Sequence, residues 1–136
     1  MSDEKIKIKI ITHEKVVFEQ KVDEIYSMGV DGSFGVLKGH IPFITPLKIG
    51  VTKVVNDGVP EFIATMGGVF QFSENQAVIL TDIAEISGDI DATRAHAAKE
   101  RAEARINAKS TDIQIERAEL ALAKALARIN AAEKRF

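Results

Sequence analysis

The sequence predicts an α+β fold, with an N-terminal antiparallel β-sandwich or flattened barrel over residues 1–87 and a C-terminal antiparallel two-helix hairpin over residues 88–136. From residue 5 to about residue 86, apolar residues recur with a period of two, in short runs separated by glycine, asparagine and proline. No helical pattern interrupts these runs, which favours a sandwich or barrel. Beyond Gly88 the chain has no glycine or proline and is rich in alanine and charge, as helices are.

The first predicted strand alternates isoleucine with lysine between residues 5 and 11. Ile6, Ile8 and Ile10 should therefore face a core while the lysines face water, which is typical of an antiparallel sheet with one solvated face. Further strands are predicted at residues 16–18, 22–28, 47–55, 61–66, 69–72 and 77–80. The Asn-Asp-Gly sequence at residues 56–58 predicts a hairpin turn, because aspartate and glycine tolerate positive φ.

Two helices are predicted after the strands. Asp91 is a suitable N-cap for a first helix that runs to about Ile106, and residues 107–110 are predicted to form a turn. Thr111 or Asp112 then caps the second helix. The short connection makes the pair an antiparallel hairpin.

Most side chains on the apolar stripe of the hairpin are small. The alanines of this stripe are Ala95, Ala98, Ala102, Ala118, Ala121 and Ala125, and the larger residues are Leu122, Leu126 and Ile129. An alanine methyl contributes about 0.8 kcal/mol on burial, against roughly 1.5–3 kcal/mol for a leucine-sized side chain. The stripe therefore predicts thin packing, and a hairpin able to leave its docking surface while it stays helical.

Composition excludes several classes of function. A net charge of -2 provides no field that would draw the whole molecule to nucleic acid or to an anionic membrane. The absence of cysteine excludes disulfides, thiolate metal sites and thiol catalysis. The start of the chain shows neither a signal peptide nor a membrane-spanning run, so we expect a soluble protein that meets a membrane only through partners.

Residues 32–47 form the most distinctive stretch, because three glycines and two prolines specify a shaped backbone path. Taken alone, the stretch favours a structural corner in which His40 satisfies a hydrogen bond. With only three histidines and no ligand-spaced pair, a metal site is not expected. Neither a catalytic triad nor a phosphate-binding Gly-x-x-x-x-Gly-Lys-Ser/Thr loop is present, so no enzyme is predicted.

A second informative stretch spans residues 85–101. Arg94 and Arg101 are nearly two helical turns apart and project from one face, about 10 Å apart along the axis. Arg105 continues this stripe, and Lys124 and Arg128 form a basic pair on the second helix. A folded hairpin could bring these cations together around an anion such as a polyphosphate.

Carboxylates near the start of the first helix could serve such a ligand. Glu85 and Asp91 are placed to accept hydrogen bonds from an adenine amino group or a ribose. The alternative is purely structural: Asp91 caps the helix, Arg94 pairs with it, and the other charges form a solvated face interleaved with glutamates. Sequence physics alone favours the structural interpretation, because the nearby glutamates weaken the argument for an anion, and leaves the ligand site as the alternative.

The chain resembles the epsilon subunits of F-type ATP synthases, which are called delta in mitochondria. The resemblance covers essentially the whole chain and is carried by several motifs. These are Gly-x-Phe-Gly-Val-Leu-x-Gly-His-x-Pro at residues 32–42, Gly-Gly at 67–68, Val-Ile-Leu-Thr-Asp-Ile-Ala-Glu at 78–85, Ile-Asp-x-x-Arg-Ala at 90–95, Lys-Glu-Arg-Ala-Glu at 99–103 and Arg-Ala-Glu-Leu-Ala-Leu-Ala at 117–123.

The resemblance implies a sandwich of about ten strands that binds the gamma subunit and the membrane c-ring. Candidate contact residues on this sandwich are Ser33, Phe34, Gly39, His40 and Pro42. It implies no catalytic site, and a peripheral position on the cytoplasmic face of the bacterial cell membrane, held there through the complex. It also implies coupling of ion-driven rotation to ATP synthesis.

The hairpin of this family either folds on the sandwich or extends along gamma to the alpha/beta catalytic head, where it inhibits ATP hydrolysis. No cofactor is required, but the resemblance implies ATP as a regulatory ligand of the folded hairpin. The matching residues are Glu85, Ile90, Asp91, Arg94, Ala95, Arg101 and Arg128, with Lys124 standing where relatives carry arginine. Two alternatives remain: a free-standing ATP-sensing sandwich and hairpin, and a helical-hairpin adaptor without rotary partners.

Overall fold

The computed structural model describes residues 4–108 and 111–136, and in them strands precede helices as predicted. The strands are β1 (Ile6–Ile11), β2 (Val16–Val22), β3 (Glu24–Gly29), β4 (Gly32–Leu37), β5 (Phe43–Asn56), β6 (Val59–Ser73), β7 (Gln76–Leu80) and β8 (Ala84–Ile86). A short 3-10 helix, Ser87–Asp89, leads into α1 (Ala92–Asn107) and α2 (Asp112–Ala132). The α+β fold class is confirmed.

The strands form one hydrogen-bonded sheet in the order β2-β1-β7-β6-β5-β3-β4, with β8 paired to β6 beside β7. The pairings are antiparallel as predicted, apart from the parallel pairing of β1 with β7 in the described part of the chain. Seven strands contribute side chains to one buried cluster, so the sheet closes on a common core as a sandwich does. Ile6, Ile8 and Ile10 are fully buried in it, which confirms the alternation in β1.

The structure describes eight strands rather than about ten. The predicted strands at 61–66 and 69–72 are one strand, β6, of 15 residues, and the predicted strand at 47–55 lies inside β5, which has 14. Gly67 and Gly68 have φ of 79° and 106°, and they let β6 bend without ending its ladder to β5. Glycines that predict a break therefore mark a bend in this sheet.

The glycine- and proline-rich stretch at residues 32–47 is less irregular than its composition predicts. Most of it forms β4 and the start of β5, and the loop between the two strands covers only residues 38–42. The predicted strand at 22–28 corresponds to β3, except that Val22 ends β2 and the chain bends at Asp23 between the two strands.

The predicted helix caps are present in the hairpin. Asp91 is the N-cap of α1, and Thr111 rather than Asp112 is the N-cap of α2, where it forms a capping box with Gln114. Asn107, predicted to start the turn, is the last residue of α1, and residues 109–110 of that turn lie outside the described residues.

Alanine dominates both interfaces of the hairpin, but the alanines that face the sheet lie outside the predicted stripe, and Leu126 of that stripe is exposed. Ala95 and Ala102 of α1 are buried, as are Ala118 and Ala125 of α2. On a different side of α2, Ala127 and Ala131 pack on strands β5 and β6; the sheet residues of this cluster are Val51, Phe62, Ala64 and Met66. The hairpin is therefore docked on the sandwich through a contact to which the helix contributes mainly methyl groups. Among the described residues, neither helix is both long and apolar enough to cross a bilayer.

Candidate functional site

A cleft of about 380 Å³ lies where the 3-10 helix, α1 and α2 meet. Its lining residues are Glu85, Asp89, Ile90, Asp91, Arg94, Ala95, Ala98, Arg101 and Arg128. Seven of the eight residues implied as an ATP site by resemblance thus line one cleft. Its volume lies within the range of roughly 300–1,000 Å³ found for small-molecule pockets.

Three adjoining elements position the acidic side of this cleft. Glu85 is in β8, which pairs with β6, and Asp89 is in the 3-10 helix. Asp91 is the N-cap of α1, and its Oδ1 accepts a hydrogen bond from the backbone N–H of Arg94 at 3.0 Å. The capping part of the structural interpretation is therefore correct, because this carboxylate satisfies a helix donor that would otherwise be free.

Arg128 reaches from α2 across to the end of the sheet. Its Nε donates a hydrogen bond to Oε1 of Glu85 at 2.6 Å, and both side chains are about one third exposed, at 29% and 36%. The pair ties α2 to β8 and fixes one guanidinium at the edge of the cleft. A charge-assisted contact of this length is stronger than a neutral hydrogen bond.

The guanidinium groups of Arg94 and Arg101 have no ion pair with any carboxylate in residues 4–108 and 111–136. The pairing of Arg94 with Asp91, expected under the structural interpretation, is absent there, because Asp91 binds the backbone of Arg94 instead. Two unpaired cations facing one cleft repel each other unless an anion lies between them. The arrangement suits a ligand that is anionic at one end and hydrogen-bonding at the other.

The structure does not bring every predicted cation to this cleft. Lys124 is half-buried on α2 but does not line the cleft. Arg105 lies further along α1 and lines a different cleft, together with Gln114, Arg117 and Ala118. Three arginines, rather than four or five cations, therefore define the basic side.

Sequence reasoning missed two residues of the lining, Asp89 and Ala98. Ala98 lies at i+4 from Arg94 and at i−3 from Arg101, so helical spacing alone could have placed it between them. Its small side chain leaves room for a ligand between the two guanidinium groups. No sequence pattern could have placed Asp89 in the cleft, because its position depends on the 3-10 helix.

The candidate contact residues on the sandwich fall in different places. Ser33 is exposed beside the β3–β4 turn, while the loop containing Gly39, His40 and Pro42 follows the opposite end of β4. Four strand positions separate Ser33 from the last residue of β4, which is about 13 Å. Phe34 is half-buried instead, and its ring packs edge-on against Phe70 of the core at 5.0 Å.

The loop at residues 38–42 is held in a defined shape. The Gly39 N–H donates to Oδ1 of Asn75 in the β6–β7 turn at 2.9 Å. His40 Nδ1 lies 2.7 Å from the Ile41 carbonyl, and its ring packs against Phe43 with centroids 4.9 Å apart. His40 is thus a satisfied hydrogen-bonding residue in an exposed loop, while Ile41 beside it is 73% exposed.

Two family descriptions match the chain. "ATP synthase, Delta/Epsilon chain, beta-sandwich domain" covers residues 5–87, and "ATP synthase, Delta/Epsilon chain, long alpha-helix domain" covers residues 89–133. The ATP synthase epsilon chain of Desulforamulus reducens is 43% identical over 106 residues, which is 78% of this chain and 80% of that one. The Bacillus subtilis ATP synthase epsilon chain is 39% identical over 107 residues, 79% of this chain and 81% of the relative.

Solved structures share the fold. A chain in the Euglena gracilis mitochondrial ATP synthase OSCP/F1/c-ring structure superposes with a TM-score of 0.81 at 22% identity, covering 96% of this chain and 82% of that one. A chain in the Tetrahymena thermophila mitochondrial ATP synthase central stalk/c-ring structure has a TM-score of 0.63 at 14% identity, covering 94% and 96%.

Proposed function

This chain belongs to the ATP synthase delta/epsilon chain family, and from that membership we propose that it works as the epsilon subunit of the F-type ATP synthase central stalk. In this role it is a non-catalytic subunit that couples rotation to ATP synthesis. The sandwich holds the rotor and the hairpin regulates ATP hydrolysis. The observation that carries the assignment is the match along both parts of the chain, with epsilon chains about 40% identical over most of its length.

The proposal includes ATP as a regulatory ligand of the docked hairpin. The cleft supports it, because Arg94, Arg101 and Arg128 face one space and two of them lack an ion pair within the described residues. These guanidinium groups would bind the phosphates, and Glu85 or Asp91 would bind the adenine or the ribose. ATP would favour the docked hairpin only as far as it binds that state more tightly than the extended one.

Calorimetric titration with ATP tests the site. Arg94→Ala should weaken binding by roughly ten- to a hundredfold, because a charge-assisted bidentate contact contributes about 1.5–3 kcal/mol. Arg105→Ala is the matched control, since it removes the same charge from the same helix outside the cleft and should bind as the parent does. Equal affinity in the parent, Arg94→Ala and Arg105→Ala would refute a phosphate contact at Arg94.

Two substitutions of Asp91 separate capping from ligand binding. Serine also caps a helix, so Asp91→Ser should retain α1 while it removes the carboxylate. Weaker ATP binding by Asp91→Ser, with unchanged helix content by circular dichroism, would assign the carboxylate to the ligand. Binding lost only in Asp91→Ala would return this residue to capping alone.

The proposed rotor contacts are the loop at residues 38–42 and, separately, Ser33. Through them the sandwich would bind the gamma subunit and the c-ring, and the extended hairpin would reach the alpha/beta head. The loop suits such a contact because His40 and Pro42 are exposed on a fixed backbone, with exposed Ile41 between them. Phe34 would act indirectly, by supporting Phe43 at the end of this loop.

Association with gamma separates this proposal from a free-standing ATP sensor. The parent chain should co-purify with gamma, and Ile41→Asp should weaken that association because it places a charge in the exposed apolar position. Val59→Asp is the control on the sandwich, because Val59 is likewise exposed but lies at the opposite end of the β5–β6 ladder from this loop. ATP binding without association with gamma would favour the free-standing sensor. The proposed location follows from the complex: the cytoplasmic face of the bacterial membrane, reached through partners.

A further inference from the structure

The chain after α2 folds back over the sheet instead of fraying. The Lys134 N–H donates to the Ala131 carbonyl at 3.0 Å, and the Arg135 N–H donates to the Asn130 carbonyl at 2.8 Å. This pair of bonds is a Schellman motif with Lys134 in the left-handed position, at φ of 58°. Glycine is the residue usually found there, because a Cβ makes the conformation unfavourable.

The fold-back places Phe136 against the sheet. Its ring meets the ring of Tyr26 on β3 edge-on, with centroids 6.2 Å apart and planes at 63°. Phe136 also lines the groove of about 270 Å³ between α2 and β5, where it lies with Met28, Ile49 and Leu126. Although Phe136 follows the helix in an exposed segment, only 42% of it is exposed. Lys134 thus adopts an unfavourable backbone conformation at the point where that conformation brings the Phe136 ring to the sheet.

Neighbouring residues fix the position of the Tyr26 ring that Phe136 contacts. Its hydroxyl donates to the carboxylate of Glu24, and Lys53 Nζ lies 5.6 Å from its ring centroid. Across the strand pair stands Gly35, where a Cβ would come within 2.8 Å of the tyrosine ring. Only glycine leaves the ring this space. Tyr26 therefore presents an ordered aromatic face on the side of the sheet that receives α2.

The contact is large relative to the rest of the docking surface. The buried helix residues in the cluster with the sheet are Ala127 and Ala131, which contribute one methyl group each. A partly buried phenylalanine ring with an aromatic partner stabilises more than either methyl. A second link joins the same segment to α1, since Oε2 of Glu133 lies 3.5 Å from Nε2 of His96.

We infer that residues 133–136 form an aromatic latch, in which Phe136 closes on Tyr26 and sets how often the hairpin leaves the sheet. The latch joins the end of α2 to the strand β3, while the arginine cleft is lined by residues of β8, the 3-10 helix, α1 and Arg128 and shares no lining residue with the groove of Phe136. Two contacts would therefore stabilise the docked hairpin. The contact at the arginine cleft depends on a bound ligand, and the contact of Phe136 with Tyr26 does not. The regulatory consequence of the latch rests on the proposed function, but the contact itself does not.

Native-state amide exchange on the full chain without ATP tests the latch. In Phe136→Ala, amides of residues 123–131 should exchange about five- to tenfold faster than in the parent, the range expected for losing an aromatic pair. Amides of β1 and β7 should be unchanged and provide the internal reference. Ile41→Ala, which truncates an exposed apolar residue in the loop between β4 and β5 and outside the groove of Phe136, should leave both sets unchanged.

A double-mutant cycle with Tyr26→Leu makes the test specific. If the rings act as a pair, Phe136→Ala should add little to the exchange rate of α2 once Tyr26 is already replaced. Equal effects of Phe136→Ala with and without Tyr26, or no effect at all, would overturn the latch. By contrast, parent α2 amides that exchange as slowly as the sandwich core would defeat the proposed undocking of the hairpin, whatever Phe136 does.

Discussion

A carboxylate placed between α2 and the sheet should undock the hairpin without unfolding either part. Ala127 is 3% exposed and packs in the cluster that contains Val51, Phe62 and Met66. In Ala127→Asp, an unpaired buried charge would cost about 3–5 kcal/mol. The two helix methyl groups of this contact contribute about 0.8 kcal/mol each and the pair of Phe136 with Tyr26 about 0.5–1.5 kcal/mol, so the cost of the charge equals or exceeds their sum. The docked state should therefore become the minor one.

Amide exchange and circular dichroism together measure this change. Amides of residues 123–131 should lose protection relative to β1 and β7, while the helical signal stays nearly constant because α1 and α2 still pack on each other. Ala104→Asp is the matched control, since it makes the same substitution at an exposed alanine of α1 with a similar loss of helix propensity. Unchanged protection of α2 in Ala127→Asp, or protection lost equally from the sandwich, would refute independent docking.

Two further predictions concern the sandwich. Gly68→Ala should lower the free energy of unfolding by about 3 kcal/mol or more in urea denaturation, because its Cβ would lie 2.0 Å from a backbone carbonyl of β7 and its φ is 106°. Gly88→Ala, with nothing near, should stay within about 0.5 kcal/mol. A hydrogen bond from the Asp57 N–H, and then one from the Lys5 ammonium, lower the pKa of Asp23 below its ordinary value of 3.8. The ionised Asp23 carboxylate therefore stabilises the fold fully above pH 3.8, and this stabilisation is lost as the pH falls through the lowered pKa. Asp23→Asn should therefore have a lower midpoint of thermal unfolding than the parent at pH 7, and the same midpoint as the parent in strong acid. A difference between the two midpoints that does not change with pH would contradict this.

The order of elements was predictable because each half of the chain has a single periodicity. Alternation placed Ile6, Ile8 and Ile10 in the core, and Asp91 was identifiable as a cap from its residue type and position. The number of strands was not predictable from local sequence. Gly67 and Gly68 are equally compatible with a break and with a bend, and only their pairing with β5 decides that the strand continues.

The cleft was predictable in part. Helical spacing gave the common face of Arg94 and Arg101, but whether Arg128 would join them depended on how two helices and a strand meet. Its bond to Glu85 spans 43 residues of sequence, and no local pattern encodes such a contact. The latch was missed for a related reason, since Phe136 is an isolated aromatic whose partner lies in the third strand.

The central claim is that the chain is a rotor-stalk subunit whose hairpin regulates ATP hydrolysis. Its most direct test is ATP hydrolysis by F1 freed of its own epsilon chain and titrated with this chain or with Ala127→Asp. We predict that the parent binds gamma and inhibits hydrolysis, with weaker inhibition at high ATP, whereas Ala127→Asp inhibits as strongly at high ATP as at low. A parent chain that neither binds gamma nor changes the rate of hydrolysis would contradict the account.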